Sequence, residues 1–394
     1  MKIIRVITTM NPEHGGPSQG IRNMVPALQE IGVYNEVVCF DDPDSSYLSS
    51  SAFTIHPLGN GKGPYSYNEK LSTWLKDNFH RFDVVVIHGL WQYNSYGTYK
   101  AWKKYKKTNS SYPKLYVMPH GMLDPYFQKA PERRIKALRN TIFYALFEGK
   151  VVNGCNGVLF TCQQELELAR EPFSPYKPQS ELNIGYGIQP PPPYNSQVMN
   201  EAFYKTCPDL KQGAPYIVFM SRIHQKKGVD LLIKAYLDLK ENNNIPDLVI
   251  AGPGLDTEYG KQLQDLASRS KKIHFPGMLK NEAKWGAFYN SEAFVLPSHQ
   301  ENFGIAIVEA MACSKAVLIT DKVNIWQEIK NGDGGVVVND DFDGVKSALV
   351  KWLSLTNEEK HQKGEKAYEV YTSFFSVKNA ALRFKTIFEN NING

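Results

Sequence analysis

Short apolar runs that alternate with amphipathic stretches constrain the fold of this chain more than any other feature. The runs are nearly continuous in apolar residues, which is typical of strands covered on both faces. Stretches with helical spacing separate them, for example residues 21–31. The sequence therefore predicts an α/β fold with two doubly wound parallel sheets. The runs are KIIRVIT, NEVVCF, DVVVIHG, KLYVMP and GVLFT in the first half, and YIVFM, DLVIAG, KIHFPG, AFVLP, AVLIT and GVVV in the second.

The length of 394 residues exceeds one ordinary hydrophobic core and predicts two domains. The four prolines 190–193 can join neither a helix nor a central strand, so we expect a stiff connector there. We predict Rossmann-like domains over residues 1–190 and 195–376, and a closing helix over about 377–394 that packs back on the first. Ligands of such sheets bind beyond the carboxyl ends of the strands, so two facing sheets would form a deep cleft.

Composition and charge narrow the class of protein. Hydrophobic residues make up 42% and charged residues 22%, as in a globular enzyme, and no run approaches the ~20 apolar residues of a membrane span. The chain begins with a strand pattern, and its five cysteines are dispersed, which favours reduced thiols and a cytoplasmic location. Residues 1–195 hold 21 basic and 16 acidic side chains, and residues 196–394 hold 24 of each. The excess of basic residues in the first half favours an anionic partner there but is too small to indicate nucleic acid.

Three turns in the first half directly follow predicted strands. Gly15 and Gly16 form a tight turn before a helix, although not with the spacing of a dinucleotide fingerprint. His88 in HGLW, with Trp91, and His120 in PHGM lie where residues of a cleft lie, and His88 and Trp91 are candidates for the acceptor side. The alternatives are an ordinary turn and two structural histidines.

The stretch SRIHQKKG places two cations after a strand in the second half. Arg222 and Lys227 stand beside Gly228, where a helix begins. A guanidinium and an ammonium at a helix start suit a diphosphate and would stabilise a phosphate leaving group. The alternative is a solvated basic turn.

The stretch HQENFGIAIVEAMA contains two acids, Glu301 and Glu309, around the start of an apolar helix. The unpaired amides near Gly304, Ile305 and Ala306 suit phosphate or sugar oxygens. We expect Glu301 to accept hydrogen bonds from sugar hydroxyls and Glu309 from a ribose diol. Alternatively, Glu301 caps the helix and Glu309 pairs with a cation.

The stretch SRIHQKKG, followed about 75 residues later by PSHQENFGIAIVEAMA, resembles the retaining glycosyltransferases of family 4, which have the GT-B fold. The resemblance implies transfer of a hexose from a nucleotide diphosphate sugar without a metal. The sequence departs from the family pattern at Tyr186, where asparagine is common, and at Ser314, where glycine is common. The roles implied for residues are these: Glu301 and the amides of Phe303, Gly304 and Ile305 at the sugar, Arg222 and Lys227 at the diphosphate, Glu309 at the ribose, Gly277, Met278 and Leu279 at the base, His120 beside the transferred sugar, and Gly16 near the diphosphate.

The implied reaction is a front-face displacement, in which the acceptor hydroxyl attacks on the side that the phosphate leaves. The expected donor is UDP-glucose, with other UDP-hexoses and GDP-mannose open, and no cofactor is expected. The first domain is expected to bind the acceptor, a hydroxyl of a glycan or a lipid-linked saccharide in polysaccharide biosynthesis, and the second domain is expected to bind the nucleotide-sugar donor. The alternatives are a nucleotide-sugar epimerase, a non-catalytic binding protein with two lobes, and a phosphorylase.

Two segments of the first half interleave basic and aromatic or aliphatic residues. They are TYKAWKKYKKT at residues 98–108 and ERRIKALRNTIFYALFEGK at residues 132–150. Such segments are typical of helices that lie on anionic lipid. The alternative is a solvated helix face over a core stripe. We predict a cytoplasmic enzyme that visits the inner face of the membrane and does not bind nucleic acid.

Overall fold

The computed structural model describes residues 1–49, 51–130, 133–239 and 245–392, and the chain divides into two units. The first unit contains Met1–Ile188 and the chain from Val377 onward, and the second contains Gln189–Ser376. Residues 393 and 394 of the predicted closing helix lie outside the described residues. The roles predicted for the two domains, acceptor binding and donor binding, stay predictions.

In its described part, the first unit contains one sheet of seven parallel strands in the order β3-β2-β1-β4-β5-β6-β7. The sequence predicted five of them and missed β3 and β7, which are three-residue strands at the two edges. The strands are β1 (Lys2–Val6), β2 (Tyr34–Cys39), β3 (Ile55–Pro57), β4 (Val84–His88), β5 (Lys114–Met118), β6 (Gly157–Phe160) and β7 (Glu181–Asn183).

Helices of the first unit cover this sheet, and the C-terminal helix packs against the first helix. Four buried side chains of the C-terminal helix, Ala380, Ala381, Phe384 and Phe388, follow helical spacing. The Phe388 ring lies edge-on to Tyr116 of β5, with centroids 4.9 Å apart, so this helix belongs to the core of the first unit. The helices are α1 (Gly16–Glu30), α2 (Ser46–Ser49), α3 (Lys70–Asn78), α4 (Tyr93–Thr108), α5 (Tyr126–Lys129), α6 (Arg134–Phe143), α7 (Gly149–Gly154), α8 (Gln163–Leu168) and α17 (Val377–Ile392).

Within the described residues of the second unit, six parallel strands form a sheet in the order β10-β9-β8-β11-β12-β13. All six correspond to predicted runs. The strands are β8 (Tyr216–Met220), β9 (Asp247–Ala251), β10 (Ile273–Gly277), β11 (Ala293–Leu296), β12 (Ala316–Thr320) and β13 (Gly335–Val338). The helices are α9 (Ser196–Thr206), α10 (Val229–Asp238), α11 (Glu258–Ala267), α12 (Asn281–Asn290), α13 (Ile305–Ala312), α14 (Trp326–Asn331), α15 (Phe342–Leu353) and α16 (Asn357–Val370).

The strand order of each sheet reverses once along the chain. In the first unit the reversal falls between β1 and β4, and in the second between β8 and β11. The loops that leave the carboxyl ends of such neighbouring strands diverge, and ligands of open parallel sheets bind in the resulting crevice. The fold class predicted from the sequence is confirmed, and ligands are expected to bind at the carboxyl ends of these two strand pairs.

Two further properties concern the described residues as a set. All five cysteines lie in described segments, and each is buried without a disulfide. No helix in the described ranges combines the length and the apolar character needed to cross a lipid bilayer.

Candidate functional site

Hydrogen bonds and close packing join the loops after β8 and β11. The carbonyl oxygen of Lys226 accepts from the amide of His299 (2.8 Å) and from the hydroxyl of Ser298 (3.0 Å). Gly228 has φ of +63°, and a Cβ there would lie 2.0 Å from the carbonyl oxygen of Pro297. Only glycine fits both the backbone conformation and the space. The two loops therefore lie side by side at the point where the strand order reverses.

This contact brings together Lys227 and Glu301, which the sequence assigned to different parts of a ligand. The ammonium of Lys227 donates to Oε2 of Glu301, and both residues are largely withdrawn from water. The backbone of Glu301 is fixed as well, since its amide donates to Lys322 (2.9 Å) and its carbonyl accepts from Asn324 (2.9 Å). The position of Glu301 is thus set by the two neighbouring loops, which follow β8 and β12.

The charge state of Glu301 follows from two opposing effects. Burial raises the pKa of this carboxyl. The charge of Lys227, its hydrogen bond and the charge of Lys226 lower the pKa by more than burial raises it, so the pKa of Glu301 lies below the usual range. Glu301 is therefore a carboxylate at neutral pH and a weak base. An ammonium has three N–H donors, so Lys227 can hold Glu301 and still donate to a phosphate.

Helix α13 starts in the loop that carries Glu301. Gly304 has φ of +78°, a backbone conformation that favours glycine, and a Cβ there would lie 2.5 Å from Cδ1 of Ile307. The amides of Ile305 and Ala306 lie in the first helical turn, where the helix itself offers no acceptor and the backbone dipoles give partial positive charge. The ring of Phe303 packs edge-on against Phe375 and is buried, so this side chain belongs to the core, and the role predicted for its backbone stays a prediction.

Glu309, on the first turns of α13, has a cation beside it. Its Oε1 accepts from the ammonium of Lys284 at 2.6 Å, and the two side chains are 14% and 24% exposed. The Lys284 ammonium also lies 4.3 Å from the ring centroid of Trp285. Lys284 is the cation that the alternative interpretation of Glu309 required, so the role of Glu309 at a ribose stays a prediction.

The remaining predicted residues of the second unit lie just after β8 and at or just after the end of β10. The side chain of Arg222 is exposed, in contrast to that of Lys227. Gly277 has φ of +74°, and its carbonyl accepts from the amide of Gly252 at 2.8 Å. Met278 is exposed and Leu279 is buried. The predicted contact of this turn with a base stays a prediction.

In the first unit, the two predicted histidines contact each other. Nδ1 of His88 lies 2.9 Å from Nε2 of His120, and the rings are stacked. On its other side, Nε2 of His88 lies 3.2 Å from Nη1 of Arg5 in β1. Nε of Arg5 donates to Oδ1 of Asn35 at 2.9 Å. Arg5 was not predicted from the sequence, because its only local signal is an arginine inside the apolar run KIIRV.

Burial sets the charges of this cluster. Burial lowers the pKa of Arg5 to about 10, so the guanidinium remains charged at neutral pH. Burial, and then the charge of Arg5, lower the pKa of His120 to about 3. Burial, His120 and Arg5 lower the pKa of His88 well below its usual range. Both imidazoles are therefore neutral at pH 7.

Two buried glutamates, which no local motif indicated, hold the histidine loops. His120 has φ of +54°, which a non-glycine residue rarely adopts, and the next amide, of Gly121, donates to Glu165 at 2.5 Å. Trp91 has φ of +72°, and its amide donates to Glu148 at 3.2 Å. Burial raises the pKa of Glu148 to about 7, although its hydrogen bonds act in the opposite direction. Strained backbone held in this way is a feature of functional sites.

The turn at Gly16 is supported by one of the departures from the family pattern. The hydroxyl of Tyr186 donates to the carbonyl oxygen of Gly16 at 2.5 Å. The same ring fills the space beside Gly20, where a Cβ would lie 2.0 Å from the tyrosine oxygen. Tyr186 and Gly20 are therefore a matched pair that fixes the start of α1. The predicted position of Gly16 near a diphosphate stays a prediction.

The residues described by the structure include no group of three or more His, Cys, Asp and Glu side chains that could hold a metal ion. The expectation of a metal-free reaction remains untested by this observation.

Comparison with known proteins places this geometry in context. The family model "Glycosyl transferases group 1" matches residues 203–370. The chain is 27% identical over 192 residues to the lipopolysaccharide 1,2-N-acetylglucosaminetransferase of Salmonella typhimurium, a match that covers 46% of this chain and 50% of the relative. The chain thus spans about half the length of the curated relatives it matches.

Two solved structures share the fold over almost the whole chain. A glycosyltransferase from Rickettsia africae has a TM-score of 0.72 at 15% identity, with 100% of this chain and 99% of that chain covered. The Anabaena protein HepE, solved in complex with UDP-glucose, has a TM-score of 0.70 at 15% identity, with 99% and 100% covered. Residues 203–370 thus match the glycosyl transferases of group 1, and the chain as a whole has the fold of GT-B glycosyltransferases.

Proposed function

We propose that this protein is a glycosyltransferase that moves a hexose from a UDP-sugar, UDP-glucose by default, to a hydroxyl of a glycan or lipid-linked saccharide, with retention and without a metal. The observation that carries the proposal is the Lys227–Glu301 pair, which lies at the reversal point of the second sheet beside the first turn of α13. The match to group 1 glycosyl transferases covers this whole arrangement.

In this proposal the second unit binds the donor. Lys227 and Arg222 hold the diphosphate and stabilise the charge that develops on it as the bond to the sugar breaks. The amides of Ile305 and Ala306 contribute partial positive charge, and Glu301 accepts hydrogen bonds from sugar hydroxyls. Fixed cations thus do the work that a divalent ion does in other transferases.

The chemical step is a displacement on one face of the sugar. The oxygen of the acceptor hydroxyl forms a bond to the anomeric carbon, while the bond from that carbon to the diphosphate oxygen breaks and its electron pair goes to the phosphate. The proton of the acceptor hydroxyl passes to the departing phosphate oxygen. A double displacement requires a carboxylate nucleophile. Glu301 is unsuited to that role because its charge is engaged by Lys227.

A panel of nucleotide sugars tests this function. The protein is incubated with UDP-glucose, UDP-galactose and GDP-mannose, with and without EDTA, and released nucleotide is identified by mass. We expect release of UDP from one UDP-hexose at the same rate in EDTA. Interconverted donor without release would indicate an epimerase, and donor binding without turnover would indicate a sensor. Loss of activity in EDTA that manganese restores would contradict the metal-free part.

We propose further that helix α6 docks on an anionic lipid surface. Three exposed apolar side chains of α6, and a fourth in the π-helical turn that follows, recur at spacings of three and four residues and so share one face. Large apolar side chains are seldom exposed together on one helix. They are Ile135 (88% exposed), Leu138 (65%), Ile142 (53%) and Leu146 (52%).

The charges beside this face indicate the partner. Arg134, Lys136 and Arg139 are exposed on the same helix and would meet the phosphates of anionic lipids, each adding about 1 kcal/mol near the surface. The other predicted segment differs, because Tyr99 and Trp102 of α4 are buried, so the alternative of a core stripe applies there. Glu132 of the α6 segment lies outside the described residues.

Sedimentation with vesicles tests the docking face. The protein is mixed with phosphatidylglycerol-containing vesicles at low salt, and we expect co-sedimentation that high salt reverses. Leu138→Ser should reduce the bound fraction several-fold. Val350→Ser is the matched control, since Val350 is an exposed apolar residue (46%) of the second unit. No binding, or equal loss in both variants, would remove the lipid surface from the proposal and leave the transferase part standing.

A further inference from the structure

We propose that Arg5 and His88 are positioning residues that fix the tautomer of His120, so that His120 always presents its Nδ1–H as a hydrogen-bond donor. The inference rests on the proposed function only where it assigns that donor to a sugar hydroxyl. The tautomer itself follows from contacts within the first unit.

The first step concerns Arg5 and His88. A guanidinium has five N–H donors and no acceptor. Because Nη1 of Arg5 lies 3.2 Å from Nε2 of His88, that nitrogen must accept. A neutral imidazole carries one N–H, so the proton of His88 is on Nδ1.

The second step passes this assignment to His120. The Nδ1–H of His88 points at Nε2 of His120, 2.9 Å away, which must therefore accept. The single proton of neutral His120 is then on Nδ1. The other tautomer of His88 carries its proton on Nε2. That N–H would point at the N–H of Arg5, so the two groups would repel each other instead of forming a hydrogen bond.

The surroundings keep this chain of donors from reversing. Nδ2 of Asn35 donates to the carbonyl oxygen of Val33 (2.9 Å), which turns its Oδ1 toward Nε of Arg5. The guanidinium also lies over the ring of Phe384, 5.4 Å from its centroid. On the other side, Nδ2 of Asn94 donates to the carbonyl oxygen of His88 at 2.8 Å. Arg5 and His88, the first two members of the relay Arg5–His88–His120, are thus each held from a second direction.

The consequence for chemistry is specific. His120 can donate through Nδ1 to a sugar hydroxyl oxygen, but its Nε2 lone pair is already occupied by His88. His120 is therefore a donor that binds the sugar, and it does not act as the general base toward the acceptor hydroxyl. This agrees with a reaction in which the departing phosphate takes the proton.

Nitrogen NMR of the full-length protein labelled at histidine tests the tautomer without any ligand. Loss of signals in His88→Asn and His120→Gln assigns the two rings. We expect both rings to carry the proton on Nδ1 at pH 7, and we expect Arg5→Met to convert them to mixed tautomers. A His120 ring protonated on Nε2, or an unchanged spectrum in Arg5→Met, would overturn the proposal whether or not the protein transfers sugar.

Kinetics with the active donor provide the second readout. The amide of His88→Asn can still donate to His120, whereas His88→Leu cannot. We expect His88→Leu to lower kcat about tenfold, as for one lost hydrogen bond, and His88→Asn to recover most of that loss. The exposed His80 supplies the control His80→Leu, which should leave kcat unchanged. Equal loss in His88→Asn and His88→Leu would show that His88 acts only through packing.

Discussion

The two carboxylates around the start of α13 are predicted to act on different parts of the donor, and glutamine at each position separates their roles. Glutamine keeps the shape of the side chain and removes its charge. Glu301→Gln takes away the charged partner of Lys227, whereas Glu309→Gln takes away the charged partner of Lys284 and leaves one of the two oxygens predicted to accept from the ribose hydroxyls. Binding of UDP, which contains the ribose and the diphosphate but not the transferred hexose, distinguishes the two.

The two substitutions should change UDP affinity in opposite directions. A hydrogen bond to a charged group contributes about 1.5–3 kcal/mol and one to a neutral group about 0.5–1.5 kcal/mol, so Glu309→Gln should weaken UDP binding about 5- to 12-fold. In Glu301→Gln the diphosphate no longer competes with a carboxylate for Lys227. Two charges 4 Å apart interact by about 4 kcal/mol at an effective dielectric of 20, and solvent near this partly exposed pair reduces the gain. UDP should therefore bind Glu301→Gln at least as tightly as the unmodified protein, while sugar transfer is lost.

Isothermal titration with UDP measures these affinities, and released UDP measures transfer. The matched control is Glu292→Gln, because Glu292 pairs with Lys360 at 2.9 Å just before β11, at the opposite end of that strand from the site. It should change neither quantity. Equal loss of UDP binding in both site variants would show that the two acids are misplaced. Unchanged UDP binding in Glu309→Gln would show that Glu309 serves only to hold Lys284.

Two further predictions concern stability. In urea denaturation, Gly228→Ala should lower the free energy of unfolding much more than Gly213→Ala. Both positions have positive φ, but only at Gly228 would the new Cβ clash with backbone, namely that of Pro297. Similar losses in the two variants would mean that the loops after β8 and β11 can separate at little energetic cost. The protein should lose stability as pH falls from about 6.5 toward 3, because the pKa of His120 is about 3 in the folded state and near its ordinary value in the unfolded chain. Circular dichroism at a series of acid pH values measures this loss, and the dependence of stability on pH should be weaker in His120→Gln. An unchanged dependence would contradict the burial assigned to His120.

The sheets could be predicted from the sequence because their strands are buried on both faces. The runs YIVFM, AVLIT and GVVV coincide with β8, β12 and β13 to the residue. The two missed strands, β3 and β7, have three residues each and half-buried side chains. Such a strand leaves too short an apolar run to be separated from a loop.

The candidate site was predicted only in part, because its contacts join residues far apart in the chain. Glu301 and Lys227 were each identified from local motifs, but their pairing across 74 residues has no local signal. The same holds for Lys284 beside Glu309, and for Glu165, which accepts the amide of Gly121 from 44 residues away. The local sequence pattern identifies side chains that follow a strand. The residues that contact these side chains depend on which strands are neighbours in the sheet.

The histidine pair shows how strand order supplies the missing information. His88 is the last residue of β4 and lies opposite Met118, the last residue of β5. His120 follows two residues later, so adjacency of these strands is enough to bring the histidines together. The positive φ of His120 could not be predicted, because it depends on the amide of Gly121 reaching Glu165.

Arg5 explains why a charge, and not a neutral amide, stands at the inner end of the relay. It is 3% exposed and is bonded to two neutral groups, Asn35 and His88, and burying a charge in that way opposes folding. A glutamine at this position would have both a donor and an acceptor, and rotation of its amide would allow either tautomer of His88. Only a group that donates from every nitrogen imposes one direction on the two imidazoles that follow. The unfavourable burial of Arg5 is therefore the physical condition for a fixed donor at His120.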